Sequence, residues 1–320
     1  MENNAILEVK DKNVLITGAS GMIAGGIILK LVKEANLGSL GNLKLFLLTR
    51  NITAKNLKKF EKLPFVKIID YSGLHKLNQR VDIVFHTASP SNITQIQDYE
   101  SLLFANLGLL EIILNFEPQK IIYLSTSEIY GGGDTNEESM VPNFSRDIKR
   151  HWYPLVKAKT EERLQSYYSN NQSVSIRVIR LFHTFGPGLS ETDGRAFADF
   201  LWGAAKNREV VLLSPGEQVR TFLFLEDAIS GIFAGIARAD QDYFIYNLGS
   251  DKPFSILEFA TKIAHASNAK VVIQPNNTFL HSPISTIVPN LDRLKSLGWE
   301  EKFGVDVGII ATLKWINSKI

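Results

Sequence analysis

The sequence predicts an α/β fold, in which a doubly wound parallel sheet is followed by a smaller C-terminal α/β lobe. Short, continuously apolar runs alternate with helical patterns through the first half of the chain. Strands that are apolar on both faces belong to parallel sheets that helices cover on either side. The composition is typical of a packed globular chain, because 45% of the 320 residues are apolar and 21% are charged.

The elements of this fold can be placed in order along the chain. The six predicted strands lie at residues 14–17, 43–49, 66–69, 81–85, 121–125 and 174–180. The clearest helical pattern covers residues 102–116, and after Pro187 the rhythm changes to isolated helices, short strands and more turns. We therefore expect a main domain at residues 1–186 and a smaller lobe at residues 187–320, from which some segments can return to the main domain.

Composition and charge exclude several classes of protein. Lys and Arg number 35 against 33 Asp and Glu, so the formal charge is only +2, whereas nucleic-acid binding needs a concentrated basic face. Cys is absent, which excludes disulfides and Cys nucleophiles, and the six His show no metal-ligand spacing. No apolar run approaches the roughly 20 residues of a membrane span, and residues 2–4 are polar. We expect a cytoplasmic protein with no metal and with neither a nucleic acid nor a membrane as partner.

A glycine-rich turn joins the first predicted strand to the first predicted helix, at residues 14–25. Gly18 permits a sharp turn, Gly21 lets the backbone approach a pyrophosphate, and Ala24 is small enough for the helix to pack near the strand. The start of the helix offers unpaired N–H groups and a positive dipole end to the phosphates. This context predicts a Rossmann-type dinucleotide-binding domain, with a purely structural turn as the alternative. The residues expected to hold the dinucleotide here are Gly18, Ser20, Gly21, Met22 and Ile23.

The end of the second strand bears on the choice of dinucleotide. An NAD site usually has an acidic residue here for the ribose 2′-OH, but residues 49–51 are Thr, Arg and Asn. Arg50 could pair with a 2′-phosphate, which favours NADP and leaves NAD possible; a solvated surface Arg is the alternative. Asp70, at the end of the third strand, is a candidate to accept from the adenine amino group, or is simply a solvated strand-end residue.

Tyr153 and Lys157 form a candidate acid–base pair. Four residues apart, they share one face of a helix. A Tyr acting as a base near pH 7 needs about 4 kcal/mol of differential stabilisation of its phenolate, which a nearby Lys and an oxidised nicotinamide ring both favour. Thr126 and Glu128 follow the fifth strand, at the end of the sheet where ligands bind. Thr126 can hydrogen-bond a substrate hydroxyl, and Glu128 can move a proton or merely cap a loop.

These motifs together resemble the extended short-chain dehydrogenases/reductases of the nucleotide-sugar epimerase/dehydratase group. They occur in the order typical of that family and span nearly the whole chain. The matching pieces are the glycine turn, residues 82–88, Asn106, residues 125–131, the pair Tyr153 and Lys157, and residues 180–187.

Within that group, the motifs are most similar to those of UDP-glucuronate decarboxylases. The similar segments are residues 125–128, 184–187, 193–195, 214–222, 246–249 and 297–299. The chain also departs from that pattern. No acidic residue follows the second strand, although those enzymes have one and use NAD. Gly188 stands where they carry an Arg, and residues 287–290 replace their Arg-x-Pro-Asp segment.

The resemblance implies roles for individual residues. The catalytic set is Thr126, Glu128, Tyr153 and Lys157. The dinucleotide contacts that it adds are Ala88, Asn106, Tyr153 and Lys157. The substrate contacts are Ser127, His183, Arg195 and Arg220, the last of them to the diphosphate of a nucleotide sugar. A UDP-sugar is the favoured substrate, and a helix bundle that includes residues 102–116 is expected to form a homodimer, unless that helix is buried within the monomer.

The implied reaction is hydride transfer at C4 of the sugar through a 4-keto intermediate, as in dehydratases, decarboxylases and epimerases. Tyr153 takes the hydroxyl proton, and Thr126 hydrogen-bonds the same oxygen. Two alternatives stay open: an NADPH-dependent reductase of a 4-keto nucleotide sugar, and a non-catalytic protein that senses a dinucleotide on the same fold.

Overall fold

The computed structural model describes residues 5–89, 97–131, 137–139, 144–237, 242–275 and 285–320, and residues 2–4 lie outside this set. The strands of the described part are β1 (Asn13–Thr17), β2 (Lys44–Leu48), β3 (Val66–Ile69), β4 (Ile83–His86), β5 (Lys120–Thr126), β6 (Ser175–Leu181), β7 (Thr184–Phe185), β8 (Glu209–Leu212), β9 (Val219–Thr221), β10 (Leu223–Phe224), β11 (Tyr243–Leu248), β12 (Pro253–Ser255) and β13 (Lys270–Ile273). The helices of the described part are α1 (Met22–Asn36), α2 (Lys55–Lys58), α3 (Tyr71–His75), α4 (Tyr99–Leu114), α5 (Trp152–Asn170), α6 (Ala196–Asn207), α7 (Leu225–Ile236), α8 (Ile256–Ser267), α9 (Asp292–Lys295) and α10 (Gly304–Asn317).

The main sheet has seven strands in the order β11-β6-β5-β4-β1-β2-β3. All of its strand pairs are parallel, which confirms the predicted Rossmann-type fold class. The six predicted strands are all present, and each of their ends lies within two residues of the prediction. The strand order reverses between β1 and β4, and such a reversal opens a crevice at the carboxyl ends of the two strands.

Helices cover both faces of this sheet, and the middle of β1 is apolar on both faces. Val14 and Ile16 pack in one cluster with α1 and α7. Leu15 points to the opposite face and packs with Leu109 and Ile113 of α4. Side chains alternate between the two faces of a strand, so a strand covered on both faces must be apolar throughout.

The smaller lobe has its own apolar cluster, built from Phe side chains of β7, α6 and α8 with Ile309 of α10. Its short strands pair as β8 with β13, β9 with β12, and β7 with β10. The chain also returns from the lobe to the main layer. β11 pairs along β6, and α7 packs against the main sheet.

Helices α4 and α5 lie side by side on the main domain. Arg163 of α5 donates to both carboxylate oxygens of Glu111 on α4, at 2.6 and 2.8 Å. Phe104, in the middle of α4, is 81% exposed, so the outer surface of this helix is not covered within the monomer. No helix within the described ranges is long and apolar enough to cross a membrane.

Candidate active site

A cleft with a volume of about 750 Å³ opens at the carboxyl ends of the central strands, where the main sheet meets the lobe. The predicted site residues that line it are Gly18, Ser20, Gly21, Met22, Ile23, Arg50, Ala88, Asn106, Tyr153, Lys157 and Arg195. The glycine turn, the end of β2, helix α5 and the lobe thus line one cavity, although their residues are far apart in sequence.

The glycine turn has the geometry that a pyrophosphate requires. Gly18 has φ +67°, and a Cβ there would lie 2.9 Å from the Cα of Ala88. Gly21 precedes α1, and no side chain caps that helix, so the first N–H groups of α1 remain available to a ligand. A dinucleotide therefore fits this end of the cleft, and the residues that would hold its phosphates are Gly18 to Ile23.

Thr17 fixes the loop that faces the glycine turn, although the motif analysis did not single it out. Its hydroxyl oxygen accepts from the N–H groups of Thr87 and Ala88, both at 3.1 Å, and therefore donates to Nδ1 of His86 at 2.9 Å. Burial lowers the pKa of His86 to about 3, so its ring is neutral and can accept this hydrogen bond. The sequence feature that could have pointed to Thr17 is its place at the end of the first predicted strand.

Arg50 and Asp70 behave differently at the adenosine end of the cleft. Arg50 is exposed and lines the cleft. Asp70 caps α3 by accepting from Gly73 N at 2.7 Å, and Tyr71 lines the cleft beside it. The structure therefore gives Asp70 a local structural role, and its adenine contact stays a prediction.

Tyr153 and Lys157 share one face of α5, and both line the cleft. Lys157 is 2% exposed, and its Nζ donates to the carbonyl oxygen of Leu124 at 2.6 Å. The same Nζ lies 5.9 Å from the centre of the Tyr153 ring. Burial lowers the pKa of Lys157 to about 7, against the effect of Glu161, which raises it. Lys157 can therefore gain or lose its charge near neutral pH.

The pKa of Tyr153 is raised, first by burial and then by the carboxylate of Glu128. Arg195 and a hydrogen bond with the Thr126 side chain act in the opposite direction. In the protein alone the Tyr153 phenol is therefore protonated at neutral pH. Its use as a base requires further positive charge nearby, and a charged Lys157 can supply some of it.

Glu128 belongs to a short 3₁₀ turn, Ser127–Tyr130, which we call the active-site turn. Thr126 caps this turn by accepting from Glu128 N at 3.2 Å. Burial raises the pKa of Glu128, while Arg150 and Arg195 lower it. Arg150 is a residue that sequence reasoning missed, because only folding brings the segment before Tyr153 next to the active-site turn. Ser127 is buried within the turn.

Arg195 brings a cation from the lobe close to Tyr153 and Glu128. Its Nε and Nη2 donate to the two carboxylate oxygens of Asp193 at 2.5 and 2.7 Å. The guanidinium also lies 4.7 Å from the centre of the Phe197 ring. This ion pair and ring contact hold Arg195 where it lines the cleft and acts on Tyr153 and Glu128.

His183 and Arg220 lie on the lobe side, near the cleft but outside its lining. The His183 ring is 5.9 Å from both Phe197 and Phe222, and burial lowers its pKa to about 3, so the ring is neutral. Arg220 is buried, and its Nη1 donates to the carbonyl oxygens of Val219 and Ser285 at 2.8 and 3.2 Å. The substrate contacts of both residues stay predictions.

Two polar residues of the cleft wall differ in their hydrogen bonding. Asn106 donates from Nδ2 to the carbonyl of Leu102 at 2.8 Å and accepts from the Ser89 hydroxyl at 3.0 Å. Ser125 lines the cleft, and within the described part of the chain its buried Oγ has no hydrogen-bond partner. A bound ligand could therefore satisfy Ser125, which sequence reasoning had not selected as a site residue.

The fold and the site together indicate a class of protein. An uncapped helix at a glycine turn, with a Tyr and a buried Lys facing the same cleft, is the arrangement of a dinucleotide-dependent enzyme.

Comparison with known proteins identifies the family. The model of the NAD dependent epimerase/dehydratase family matches residues 14–249. UDP-glucuronic acid decarboxylase 6 of Arabidopsis thaliana is 25% identical over 304 residues, which cover 92% of this chain and 86% of that protein. The chain belongs to the NAD dependent epimerase/dehydratase family and is an enzyme of that type, as the motifs predicted.

Solved structures share the fold at low sequence identity. UDP-glucuronic acid 4-epimerase from Bacillus cereus, in complex with UDP-glucuronic acid and NAD, has a TM-score of 0.82 at 18% identity, covering 96% of this chain and 100% of that chain. UDP-N-acetylglucosamine 4-epimerase from Methanobrevibacter ruminantium M1, in complex with UDP-N-acetylmuramic acid, has a TM-score of 0.81 at 20% identity, covering 97% and 100%.

Proposed function

We propose that this enzyme oxidises a nucleotide diphosphate sugar at C4 and passes through a 4-keto intermediate before its dinucleotide is regenerated. The observation that carries the proposal is the joint presence of Tyr153 and Lys157 in the cleft that begins at the glycine turn. A bound dinucleotide would supply the hydride acceptor. The reaction type is that of a dehydratase, decarboxylase or epimerase.

Tyr153 takes the proton from the sugar hydroxyl in this proposal, and Thr126 hydrogen-bonds the same oxygen. Burial raises the pKa of Tyr153, so the phenol gives up its own proton and becomes a base only when positive charge is close. Lys157 and Arg195 line the same cleft as Tyr153 and can supply that charge. Holding the reacting groups together can contribute about 7–11 kcal/mol to lowering the barrier.

Glu128 acts at C5 of the sugar in this proposal, either as a base or by orienting a carboxylate at C6. The 4-keto group makes the C5 proton acidic, so a carboxylate held in the active-site turn can abstract or relay it. Burial raises the pKa of Glu128 and brings it closer to neutral pH, where a general base is most effective.

We assign the substrate to the class of UDP-sugars. A relative over most of the chain is named a UDP-glucuronic acid decarboxylase, and the lobe supplies Arg195 and Arg220 for an anionic substrate. Residues 1–186 would then bind the dinucleotide, and residues 187–320 would mainly bind the nucleotide sugar, with Ser127 and His183 adding contacts.

Two features bear on the choice between NAD and NADP. The family is described as NAD dependent, and a solved neighbour is a complex with NAD. Arg50 supports NADP, since it is an exposed cation on the cleft wall after β2. Titration of the protein with each dinucleotide measures the preference directly.

A homodimer through α4 and α5 is also part of the proposal. The exposure of Phe104 on α4 supports it, since a large apolar side chain is stabilised when a second copy covers it. Sedimentation of the wild type and of Phe104→Glu tests it: the wild type should sediment as a dimer and the variant as a monomer. A cytoplasmic location likewise stays a prediction.

UDP-glucuronic acid and UDP-glucose are each incubated with the enzyme and a small amount of NAD relative to the sugar. The products are then identified by NMR. A C4-epimerised, decarboxylated or dehydrated sugar without net consumption of NAD is the expected result, and Tyr153→Phe should abolish it. Conversely, stoichiometric loss of NADPH on a 4-keto nucleotide sugar, with no turnover of the UDP-sugars, would reject the proposal in favour of a reductase.

A further inference from the structure

A buried ion pair links the catalytic helix to the neighbouring strand of the main sheet. Glu161 lies one helical turn after Lys157 on α5 and is 7% exposed, while Arg180 of β6 is 4% exposed. The Arg180 guanidinium donates to both carboxylate oxygens of Glu161, from Nε at 3.2 Å and from Nη2 at 2.8 Å. Neither residue lines the cleft.

The same guanidinium also reaches the active-site turn. Arg180 Nη1 donates to the Tyr130 hydroxyl at 3.2 Å and to the Glu138 carbonyl at 3.2 Å. Tyr130 is the last residue of that turn and donates in turn to Asn247 Oδ1 at 2.6 Å. Arg180 therefore connects the helix that carries Tyr153 and Lys157 with the turn that carries Glu128.

The charges around Lys157 are few in the described structure. Tyr153 and Glu161 face it from α5, Tyr123 from β5 and His86 from β4. Burial raises the pKa of Tyr123 and lowers that of His86 to about 3, so both are neutral at neutral pH. Among these described groups Glu161 alone is negatively charged there, and it favours the charged form of Lys157.

We propose that Glu161 is a positioning residue of the catalytic site. Through its ion pair with Arg180 it holds α5 against the active-site turn, and its carboxylate favours the charged form of Lys157, which helps Tyr153 to act as a base. The inference rests on the proposed role of Tyr153. Buried ion pairs contribute little net stability in many proteins, so a functional role accounts for this one better than stability does.

Glu161→Gln tests the proposal in the NAD-loaded protein. Loss of the carboxylate removes the negative charge that favours the charged form of Lys157 and leaves the Arg180 cation without this partner, so the pKa of Lys157 falls. We expect a fall of about one unit or more, which leaves about tenfold less charged Lys157 at a given pH above that pKa. An NMR titration of the lysine side chains measures it, and the Lys157 resonance is assigned by its absence from Lys157→Met.

Glu111→Gln is the matched control, because Glu111 pairs with Arg163 of α5 in the same two-bond geometry but on the surface. It should leave the Lys157 titration unchanged. Glu161→Gln leaves the Arg180 charge buried without its partner and can prevent folding. The double variant Glu161→Gln with Arg180→Gln removes both charges, and it should also lower the pKa of Lys157, because it lacks the carboxylate that favours the charged amine.

The proposal is overturned if a folded single or double variant titrates Lys157 as the wild type does. This readout does not depend on turnover. If the wild type converts none of the UDP-sugars while the titration shifts as expected, the proposed function fails and the role of Glu161 stands. With turnover present, the alkaline limb of the pH profile of kcat should also shift to lower pH, whereas a merely structural role would lower kcat equally at every pH.

Discussion

The burial of Lys157 should destabilise the protein in a pH-dependent way, and Lys157→Met should relieve it. The pKa of this Lys falls from 10.5 to about 7 on folding. A shift of one unit corresponds to about 1.36 kcal/mol, so the cost of folding at pH 7 is roughly 4 kcal/mol. The lost hydrogen bond to the Leu124 carbonyl offsets about 1–3 kcal/mol of the gain.

The direction of this pH dependence follows from the number of protons that the folded and unfolded states bind. Between about pH 7 and pH 10 the unfolded chain holds a proton on Lys157 that the folded protein has released, so the wild type becomes more stable as pH rises. The cost falls to roughly 1.5 kcal/mol near pH 9.5. The difference in free energy of unfolding between Lys157→Met and the wild type should therefore shrink by about 3 kcal/mol from pH 7 to pH 9.5.

Urea denaturation of the protein without dinucleotide, at several pH values in this range, measures that difference. Lys159→Met is the matched control, because Lys159 lies on the same helix but is exposed and paired with Glu162. Its difference from the wild type should not vary with pH. If the free energy of unfolding of Lys157→Met varies with pH in the same way as that of the wild type, the buried Lys does not titrate near neutral pH and the reasoning is refuted.

Three further predictions concern the cleft. Gly18→Ala should weaken dinucleotide binding, measured by calorimetry, by tenfold or more. A φ of +67° costs an Ala about 1–2 kcal/mol, and its Cβ would lie 2.9 Å from the Ala88 backbone. Unchanged affinity would contradict this turn geometry. Arg50→Ala should weaken NADP binding about tenfold and leave NAD binding within about twofold, and equal losses for both would show that Arg50 does not contact a 2′-phosphate. Tyr153→Phe should lower kcat on a UDP-sugar by about 10²–10⁴ with little change in NAD affinity; retained turnover would exclude Tyr153 as the base.

Sequence patterns predicted the main sheet well because each of its early strands is apolar at consecutive positions. The glycine turn could be predicted for a related reason, since a strand, a glycine pair and a helix follow one another without interruption. The lobe was harder, because β7, β9 and β10 have only two or three residues and carry no periodicity. Their pairing depends on contacts that no local pattern encodes.

The candidate site likewise contains residues that local sequence patterns predict and residues that they do not. Tyr153 and Lys157 share a helical face because of their spacing, so their joint position in the cleft could be predicted. Arg150 and Ser125 could not be selected, because their surroundings come from segments distant in sequence. Asp70 illustrates the converse: its carboxylate accepts from the backbone N–H three residues later and so caps a helix, a local role that competes with a ligand role.

The return of β11 to the main sheet ties the two halves of the chain into one folding unit. A chain cut after residue 186 would lose the strand that hydrogen-bonds β6 and the helix α7 that shields the apolar side of the sheet. It would expose an open strand edge and a bare apolar layer, both of which favour aggregation. The half that contains the glycine turn therefore cannot be excised by truncation, and any fusion or shortened version must keep residues 225–248 with it.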